Sequence, residues 1–385
     1  MTGRRTKKRK RSKPELYRQR DVTSAMLSDS EVKAKQPYFG KWLLEERIGI
    51  GTFGSVYSIY HIQNGVKLTA AMKVISIPQS ASDLEELRGQ GFGEQEIKTF
   101  YEKQVDAFVN EIRILQRFRG NDHVVCYEDH TVVKHEDRIQ WDIYIRMECL
   151  EQLDKYFKRT RATRQDVLQL WYDIGLALIS CHENNVVHRD IKPANILVSR
   201  EGYYKLVDFG IARHIEKGLA STTAGTYPYM APEVQKHKEY DGRADIYSLG
   251  IVVYQLFNAS RYPFLPPYPQ PFTADDRDAA IAQRMSGKTV PSIPGLPLAI
   301  MKILWKCLAF DQKHRYPTAE AMVRDLMKLS LESEETAVPL YDNRGELLPV
   351  ESWVRRKKPT QIALIVFAGL LILYGLMMLI YFFTK

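Results

Sequence analysis

The chain has 385 residues, of which 45% are hydrophobic and 26% charged, an ordinary globular balance that excludes a fibrous or wholly unstructured protein. The formal net charge of +9 is confined to one end: residues 1–20 carry ten Lys and Arg against the single Glu15, and the rest balances at 45 against 45. The basicity therefore belongs to a tail and says nothing about the domain that follows. Cys126, Cys149, Cys181 and Cys307 form no CxxC pair, which argues against a metal site or disulfide framework and fits a reduced cytosol. No apolar run follows the basic start, so no secretory signal is expected.

In chain order, residues 1–38 are polar, basic and without periodicity, and are expected to be largely disordered. Segments of strand character at 42–48, 55–61 and 68–75, separated by turn material such as Gln63-Asn64-Gly65, predict a small antiparallel sheet. Residues 77–92 read as loop, 94–118 as helix-rich and 123–127 as strand-like. Beyond residue 150, Val167, Trp171, Ile174, Leu178 and Cys181 recur at spacings of four and three, one face of a helix. Residues 246–257 are apolar on nearly every side, as in a helix buried mid-domain. The plan is a small β-rich lobe followed by a larger α-rich lobe.

The first chemical motif is Gly49-Ile50-Gly51-Thr52-Phe53-Gly54. Glycines let a backbone approach phosphate oxygens closely. Alone the motif could open a dinucleotide-binding fold or be a plain turn. A dinucleotide fold needs a helix directly afterwards, whereas Ser55-Val56-Tyr57-Ser58-Ile59-Tyr60 reads as a strand, which favours a hairpin lid over phosphates. Next, Lys73 stands inside the otherwise apolar Ala70-Ala71-Met72-Lys73-Val74. It is either an edge lysine reaching solvent or a cation that holds ATP phosphates.

Further on come His188-Arg189-Asp190-Ile191-Lys192-Pro193-Ala194-Asn195, then Asp208-Phe209-Gly210, Ala231-Pro232-Glu233, Asp245 and Arg315. With these motifs in order from about residue 43 to 330, the sequence resembles the protein kinase superfamily, specifically eukaryotic-type (Hanks-type) serine/threonine kinases. The resemblance implies an α+β, two-lobed kinase fold over residues 39–331 that phosphorylates serine or threonine hydroxyls of proteins. Phosphoryl transfer is mostly positioning and charge stabilisation, and the motif residues supply both. By resemblance, the glycine loop and Lys73 hold ATP, Asn195 and Asp208 hold Mg²⁺ (Mn²⁺ as an alternative), and Asp190 orients the acceptor hydroxyl and takes its proton. Ile48, Val56, Ala71, Met147 and Leu197 are expected to line the adenine pocket, with hinge backbone at Glu148 and Leu150 bonding the adenine edge. Lys73 should pair with Glu111; Glu96 and Glu102 are alternatives, because the separation of Glu111 from Lys73 is long and residues 77–100 look like a surface insertion.

Lys192 is the family's serine/threonine mark, and Thr226 should bridge it to Asp190. Arg189 implies a phosphate on the activation segment, with Ser221, Thr222 and Thr223 as candidate autophosphorylation sites. Asp245 should hold the backbone of the His-Arg-Asp turn, and Glu233 should form a buried ion pair with Arg315. A pseudokinase would lack one of Lys73, Asp190, Asn195 and Asp208, all of which are present. A small-molecule kinase fits poorly with the Ala-Pro-Glu segment and Lys192.

Residues 361–384 carry no charge, and the 22 residues 362–383 would span ~33 Å as a helix, about one hydrocarbon core. A transmembrane helix at 361–383 is expected, after a linker over 332–360. Arg355, Arg356, Lys357 and Lys358 precede it and predict that the kinase domain stays cytoplasmic, with no external sensor domain. The arrangement resembles bacterial membrane-anchored kinases, which implies the plasma membrane; a eukaryotic kinase tail-anchored to an internal membrane is the alternative. The basic tail is read as a solvated arm or a contact with anionic lipid, with nucleic acid as the weaker alternative. Trans-autophosphorylation would favour a transient homodimer. Signalling is the expected setting; the substrates are not legible.

Overall fold

The computed structural model describes residues 27–51, 54–209 and 227–332. The chain falls into two units, residues 1–110 with 127–148 and residues 111–126 with 149–385.

The first unit is built on a five-stranded antiparallel sheet in the order β1-β2-β3-β5-β4. The strands are β1 (Leu43–Gly51), β2 (Gly54–Gln63), β3 (Val66–Ile77), β4 (Tyr127–Lys134) and β5 (Trp141–Met147). The expected strands 55–61 and 68–75 lie within β2 and β3, and 42–48 overlaps β1 from Leu43 onward. The β2–β3 turn places Asn64 at φ +50° and Gly65 at φ +77°, the left-handed pair that a two-residue hairpin turn requires and Asn-Gly favours. The segment 123–127 is not a strand of this sheet; β4 begins where it ends, and Val124 makes only an isolated bridge to Leu206.

One face of the sheet is covered by chain that was expected to be disordered. Within residues 1–38, helix α1 (Asp29–Ala34) is closed by a capping box between Ser28 and Glu31. Val32, Tyr38 and Trp42 pack with Tyr57, Ile59, Ala70, Met72, Val74 and Tyr144 in one apolar cluster. Residues 1–26 lie outside the described residues. The helix escapes a periodicity reading because it has under two turns and one buried residue, Val32; the Ser-x-x-Glu capping box was its only local signal. The strap is latched by the Asp142 carboxylate, which is fully buried. Asp142 accepts from Lys35 Nζ at 2.7 Å, His135 Nε2 at 2.8 Å, Ser76 Oγ at 2.8 Å and Gln140 Nε2 at 3.1 Å. Burial alone would raise this carboxyl, but the four donors outweigh it and hold it below the usual carboxylate range.

The expected loop at 77–92 contains a helix, α2 (Ala81–Gly89), started by a Ser80–Asp83 capping box. It was missed because only Leu84 and Leu87 mark its apolar side. Helix α3 (Glu94–Gln116) follows, close to the expected stretch, and buries Ile97, Tyr101, Val105 and Phe108 at helical spacing.

The second unit is mainly helical: α4 (Leu153–Thr160), α5 (Arg164–Glu183), α6 (Pro232–Gln235), α7 (Arg243–Phe257), α8 (Ala274–Met285), α9 (Leu298–Cys307) and α10 (Ala319–Glu332). A small sheet in the order β6-β7-β8 joins Glu151–Gln152, Ile196–Val198 and Tyr204–Leu206. The predicted stripe of α5, from Val167 to Cys181, is fully buried. On α7 every residue from Ala244 to Tyr254 is buried, as expected of a helix at the centre of a domain. Among the described residues no helix is long and apolar enough to cross a membrane; the expected span at 361–383 lies outside them, as does the linker from 333 onward.

Lys35→Met should lower the unfolding free energy by about 1–3 kcal/mol, because it leaves part of a buried carboxylate unsatisfied. Lys33→Met, on the exposed side of α1, should stay within about 0.5 kcal/mol. Urea unfolding of both variants measures the difference.

Candidate active site

In the first unit the glycine motif forms the end of the β1–β2 hairpin, with Gly49 opposite Val56 and Gly51 opposite Gly54. The motif is thus followed by a strand, which removes the dinucleotide-fold alternative. Thr52 and Phe53 lie outside the described residues. A Cβ at Gly54 would stand 1.9 Å from the Val74 carbonyl oxygen, so no larger residue fits there. Lys73 pairs with Val56 on one side and Ile145 on the other, and Ala71 pairs with Met147. Side chains alternate along strands, so Val56, Ala71, Lys73 and Met147 share one face of the sheet, opposite the face covered by the strap. Lys73 is 5% exposed on the central strand β3, which rules out the edge-lysine reading. Ile48 sits half-buried at an irregularity between Arg47 and Gly49. Glu148 and Leu150, after β5, are half-buried.

Helix α3 carries all three candidate carboxylate partners. Glu96 accepts from its own N-terminal turn, Gly93 N–H, at 2.9 Å, and Glu102 meets Lys134 at 3.2 Å. The Glu111 side chain lies outside the described residues.

In the second unit the catalytic loop follows α5. The Asp245 carboxylate, 1% exposed, accepts the backbone N–H groups of His188 and Arg189, both at 2.8 Å, and meets His182 Nε2 at 3.1 Å. His182 was missed by the sequence reading; its only signal was a histidine in the last turn of α5. These bonds hold the turn while Arg189 adopts φ +68°, a conformation that costs a non-glycine residue of order 1–3 kcal/mol. The Arg189 side chain is exposed, its guanidinium 5.5 Å from the Tyr240 ring centroid.

His188 Nε2 donates to the Val207 carbonyl at 3.0 Å, and its ring lies 4.8 Å from Phe209, which stacks on Phe118 at 5.3 Å. Burial pushes the His188 imidazole below the ordinary histidine value, so it stays neutral.

The next residues converge. Lys192 Nζ lies 2.9 Å from Asp190 Oδ2. Asn195 Nδ2 donates to the Asp190 carbonyl at 2.8 Å and to its Oδ2 at 2.9 Å. Asn195 closes the 3-10 turn Pro193–Asn195 and leads into β7, where Leu197 is half-buried. Its carbonyl accepts from Val207 N–H at 3.0 Å, which fixes the chain one residue before Asp208. Asp208 has φ +56°. With Nδ2 committed to Asp190, Asn195 presents its amide oxygen as a free-standing acceptor type. An amide oxygen and the Asp208 carboxylate are the hard donors that a divalent ion such as Mg²⁺ takes. Gly210, Thr226 and the candidate phosphosites Ser221, Thr222 and Thr223 lie outside the described residues.

The expected pair Glu233–Arg315 is present. Arg315 Nη1 and Nη2 reach the two Glu233 oxygens at 2.6 and 2.8 Å, and Arg315 also donates to the Ala309, Phe310 and Arg243 carbonyls. The fork is bidentate and its remaining donors are used, the condition under which a buried pair is tolerated.

The family profile described as protein kinase domain matches residues 42–327. The chain belongs to the protein kinase family. Among relatives, it is 27% identical over 298 residues to the probable serine/threonine-protein kinase PknB of Bifidobacterium longum, which covers 75% of this chain and 39% of that protein. It is 31% identical over 172 residues to serine/threonine-protein kinase PknB of Mycobacterium leprae, covering 43% of this chain and 26% of the other. It is 38% identical over 170 residues to the tyrosine-protein kinase MasK of Myxococcus xanthus, covering 40% of this chain and 25% of the other. The chain thus spans well under half the length of these relatives. The resemblance to bacterial kinases of the serine/threonine class is borne out at the level of family.

Arg315→Met should cost about 3–5 kcal/mol of stability by leaving Glu233 buried without its partner, measured by urea unfolding. For His188 the unfolded chain binds a proton near pH 6.5 while the folded chain does not. Stability is therefore full above that pH and falls below it, approaching about 1.4 kcal/mol per pH unit for this group. Unfolding midpoints across pH should show this acid slope, and His188→Asn should flatten it.

Proposed function

We propose that this chain transfers the γ-phosphoryl group of ATP to serine and threonine hydroxyls of protein substrates. The observation that carries the reading is the Asp190 carboxylate held between Lys192 and Asn195 at 2.9 Å each. A carboxylate so held keeps one geometry, which lets it orient an acceptor hydroxyl and take its proton as the new bond forms. The neighbouring Lys192 cation supplies a positive charge for the phosphoryl oxygens, where charge accumulates in the transition state. Lys73, buried on β3, and the glycine hairpin supply the charge and the close backbone approach that a triphosphate needs. Asn195 and Asp208 would hold the divalent ion, whose chemistry when bound is to neutralise phosphate charge.

Lys192 and the two relatives named serine/threonine kinases favour Ser/Thr; the relative named a tyrosine kinase makes acceptor identity part of the test. The proposal also keeps autophosphorylation on Ser221, Thr222 or Thr223, supported by the exposed Arg189. It keeps a signalling role and a tether through 361–383, supported by an uncharged run flanked by Arg355 to Lys358. The bacterial relatives favour a plasma membrane over an internal one, and the basic tail is suited to anionic lipid.

Purified chain incubated with γ-labelled ATP and Mg²⁺ should label protein on serine and threonine, as read by phosphoamino-acid analysis. Asp190→Asn should lower kcat by about 10²–10⁴-fold with an unchanged thermal midpoint. Undiminished transfer by Asp190→Asn, or label on tyrosine alone, would overturn the reading.

A further inference from the structure

The segment after β3 carries a surface that phosphotransfer does not use. Residues 81–97, which form α2 and the start of α3, hold Asp83, Glu85, Glu86, Glu94 and Glu96 against the single cation Arg88, a net −4 in a chain that balances beyond residue 20. The four glutamates are exposed and Asp83 is half-buried. Arg88 is taken by Glu94, at 2.6 and 3.2 Å. Like charges crowded on one surface repel, and a cation set among them relieves the repulsion. Phe92, 47% exposed between α2 and α3, adds an aromatic face of the kind that takes guanidinium and ammonium groups.

A second observation lies beneath the carboxylates. Tyr101, on α3, is 2% exposed, and its buried hydroxyl has no hydrogen-bond partner among the described residues. Burial first, and then the nearby charges of Asp83 and Glu86, push this phenol above its ordinary value. A buried hydroxyl left without a partner is costly. An ammonium group entering between α2 and α3 would donate to the phenol oxygen and pair with the two carboxylates. The Arg88–Glu94 pair that ties α2 to α3 is exposed, and such a pair holds its partners weakly, so α2 can yield to an entering side chain.

The chain supplies an occupant of opposite charge. Residues 1–20 carry ten Lys and Arg against Glu15 and lead into the strap, which is described from Leu27 onward. The strap crosses the sheet in the direction of α2: Asp29 meets Tyr57, whose partner on β3 is Met72, while Lys35 meets Asp142, which bonds Ser76. α2 begins at Ala81, at most ~32 Å of chain beyond Met72. The chain from Leu27 back to Arg11 reaches roughly 50 Å when extended, ample for a return to α2.

We infer that the basic N-terminal arm of this chain docks on the acidic face of α2 and α3, its lysines and arginines meeting the carboxylates of residues 83–96 and Phe92, and one lysine ammonium reaching the Tyr101 hydroxyl. The inference does not rest on the phosphotransfer reading. The same cations cannot serve an anionic membrane at the same time.

The test uses the full chain in neutral detergent. A zero-length carbodiimide joins a lysine amine to a carboxylate in contact with it, and mass spectrometry maps the joined pairs. Lys7, Lys8, Lys10 and Lys13 should join to carboxylates of residues 83–96, in a yield that salt screening lowers about fivefold or more. Glu85→Lys with Glu86→Lys, both on the exposed side of α2, should lower the yield as far without moving the thermal midpoint. Adding Lys7→Glu, Lys8→Glu, Lys10→Glu and Lys13→Glu should restore pairs between the same positions. Tyr101→Phe, which removes the hydroxyl alone, should lower the yield about twofold or more. In a mixture of ¹⁵N-labelled and unlabelled chain, the pairs should lie within one chain. A yield unchanged by the charge reversal or by Tyr101→Phe overturns the inference, and so does a loss that the reversed arm fails to restore. Pairs that join labelled to unlabelled chain overturn it by assigning the face to a second copy. An arm that joins nothing on residues 83–96 while the chain sediments with phosphatidylserine vesicles overturns it by assigning the arm to lipid.

Discussion

The Asp245 carboxylate, buried at the start of α7, takes the backbone N–H groups of His188 and Arg189 at 2.8 Å each, and the catalytic loop depends on that pair of bonds. They hold Arg189 in a left-handed conformation that a free chain would leave. With this turn fixed, Asp190 faces Lys192 and Asn195. Asn195 in turn fixes Val207, and so the backbone leading to Asp208. The carboxylates thus fall into two kinds: Asp245 binds backbone N–H groups and shapes the loop, while Asp190 meets the side chains of Lys192 and Asn195. His188 completes the arrangement from the apolar side, because a neutral ring can bond the Val207 carbonyl and still pack against Phe209.

Both units use the same device away from the loop, a buried charge satisfied from several directions. Asp142 collects Lys35, His135, Ser76 and Gln140, and Arg315 collects Glu233 and three carbonyls. Neither is evidence of large net stabilisation, since desolvation offsets much of the attraction. Their effect is geometric. A hydrophobic contact tolerates sliding, whereas a carboxylate with four donors or a guanidinium with a bidentate partner has one good arrangement. The strap is fixed to the sheet by the first, and the Ala231-Pro232-Glu233 segment to the helices by the second.

The first unit shows how a single strand period separates scaffold from chemistry. Met72 and Val74 face the strap cluster, whereas Ala71 and Lys73 between and beside them face the other way. A one-residue slip in the register would bury the strap residues on the wrong side and carry Lys73 with them. The apolar cluster under α1 therefore also secures the direction of the lysine.

Much of this was legible in the residues themselves. The Asn64-Gly65 turn, the stripe on α5 and the all-round apolar α7 follow from local periods of two and 3.6 residues and from backbone preferences, which a sequence displays directly. The motif order marked Lys73, Asp190, Lys192, Asn195 and Asp208, and the Glu233–Arg315 and Asp245 roles, before any coordinates. What only the tertiary structure decided were pairings between residues far apart in the chain: Lys35 with Asp142, His182 with Asp245, Arg284 with Pro228. No local spacing records them, because each depends on where separate elements pack. Short elements such as α1 were hidden for a related reason: with only Val32 to bury, their stability comes from the surface they cover and not from their own sequence.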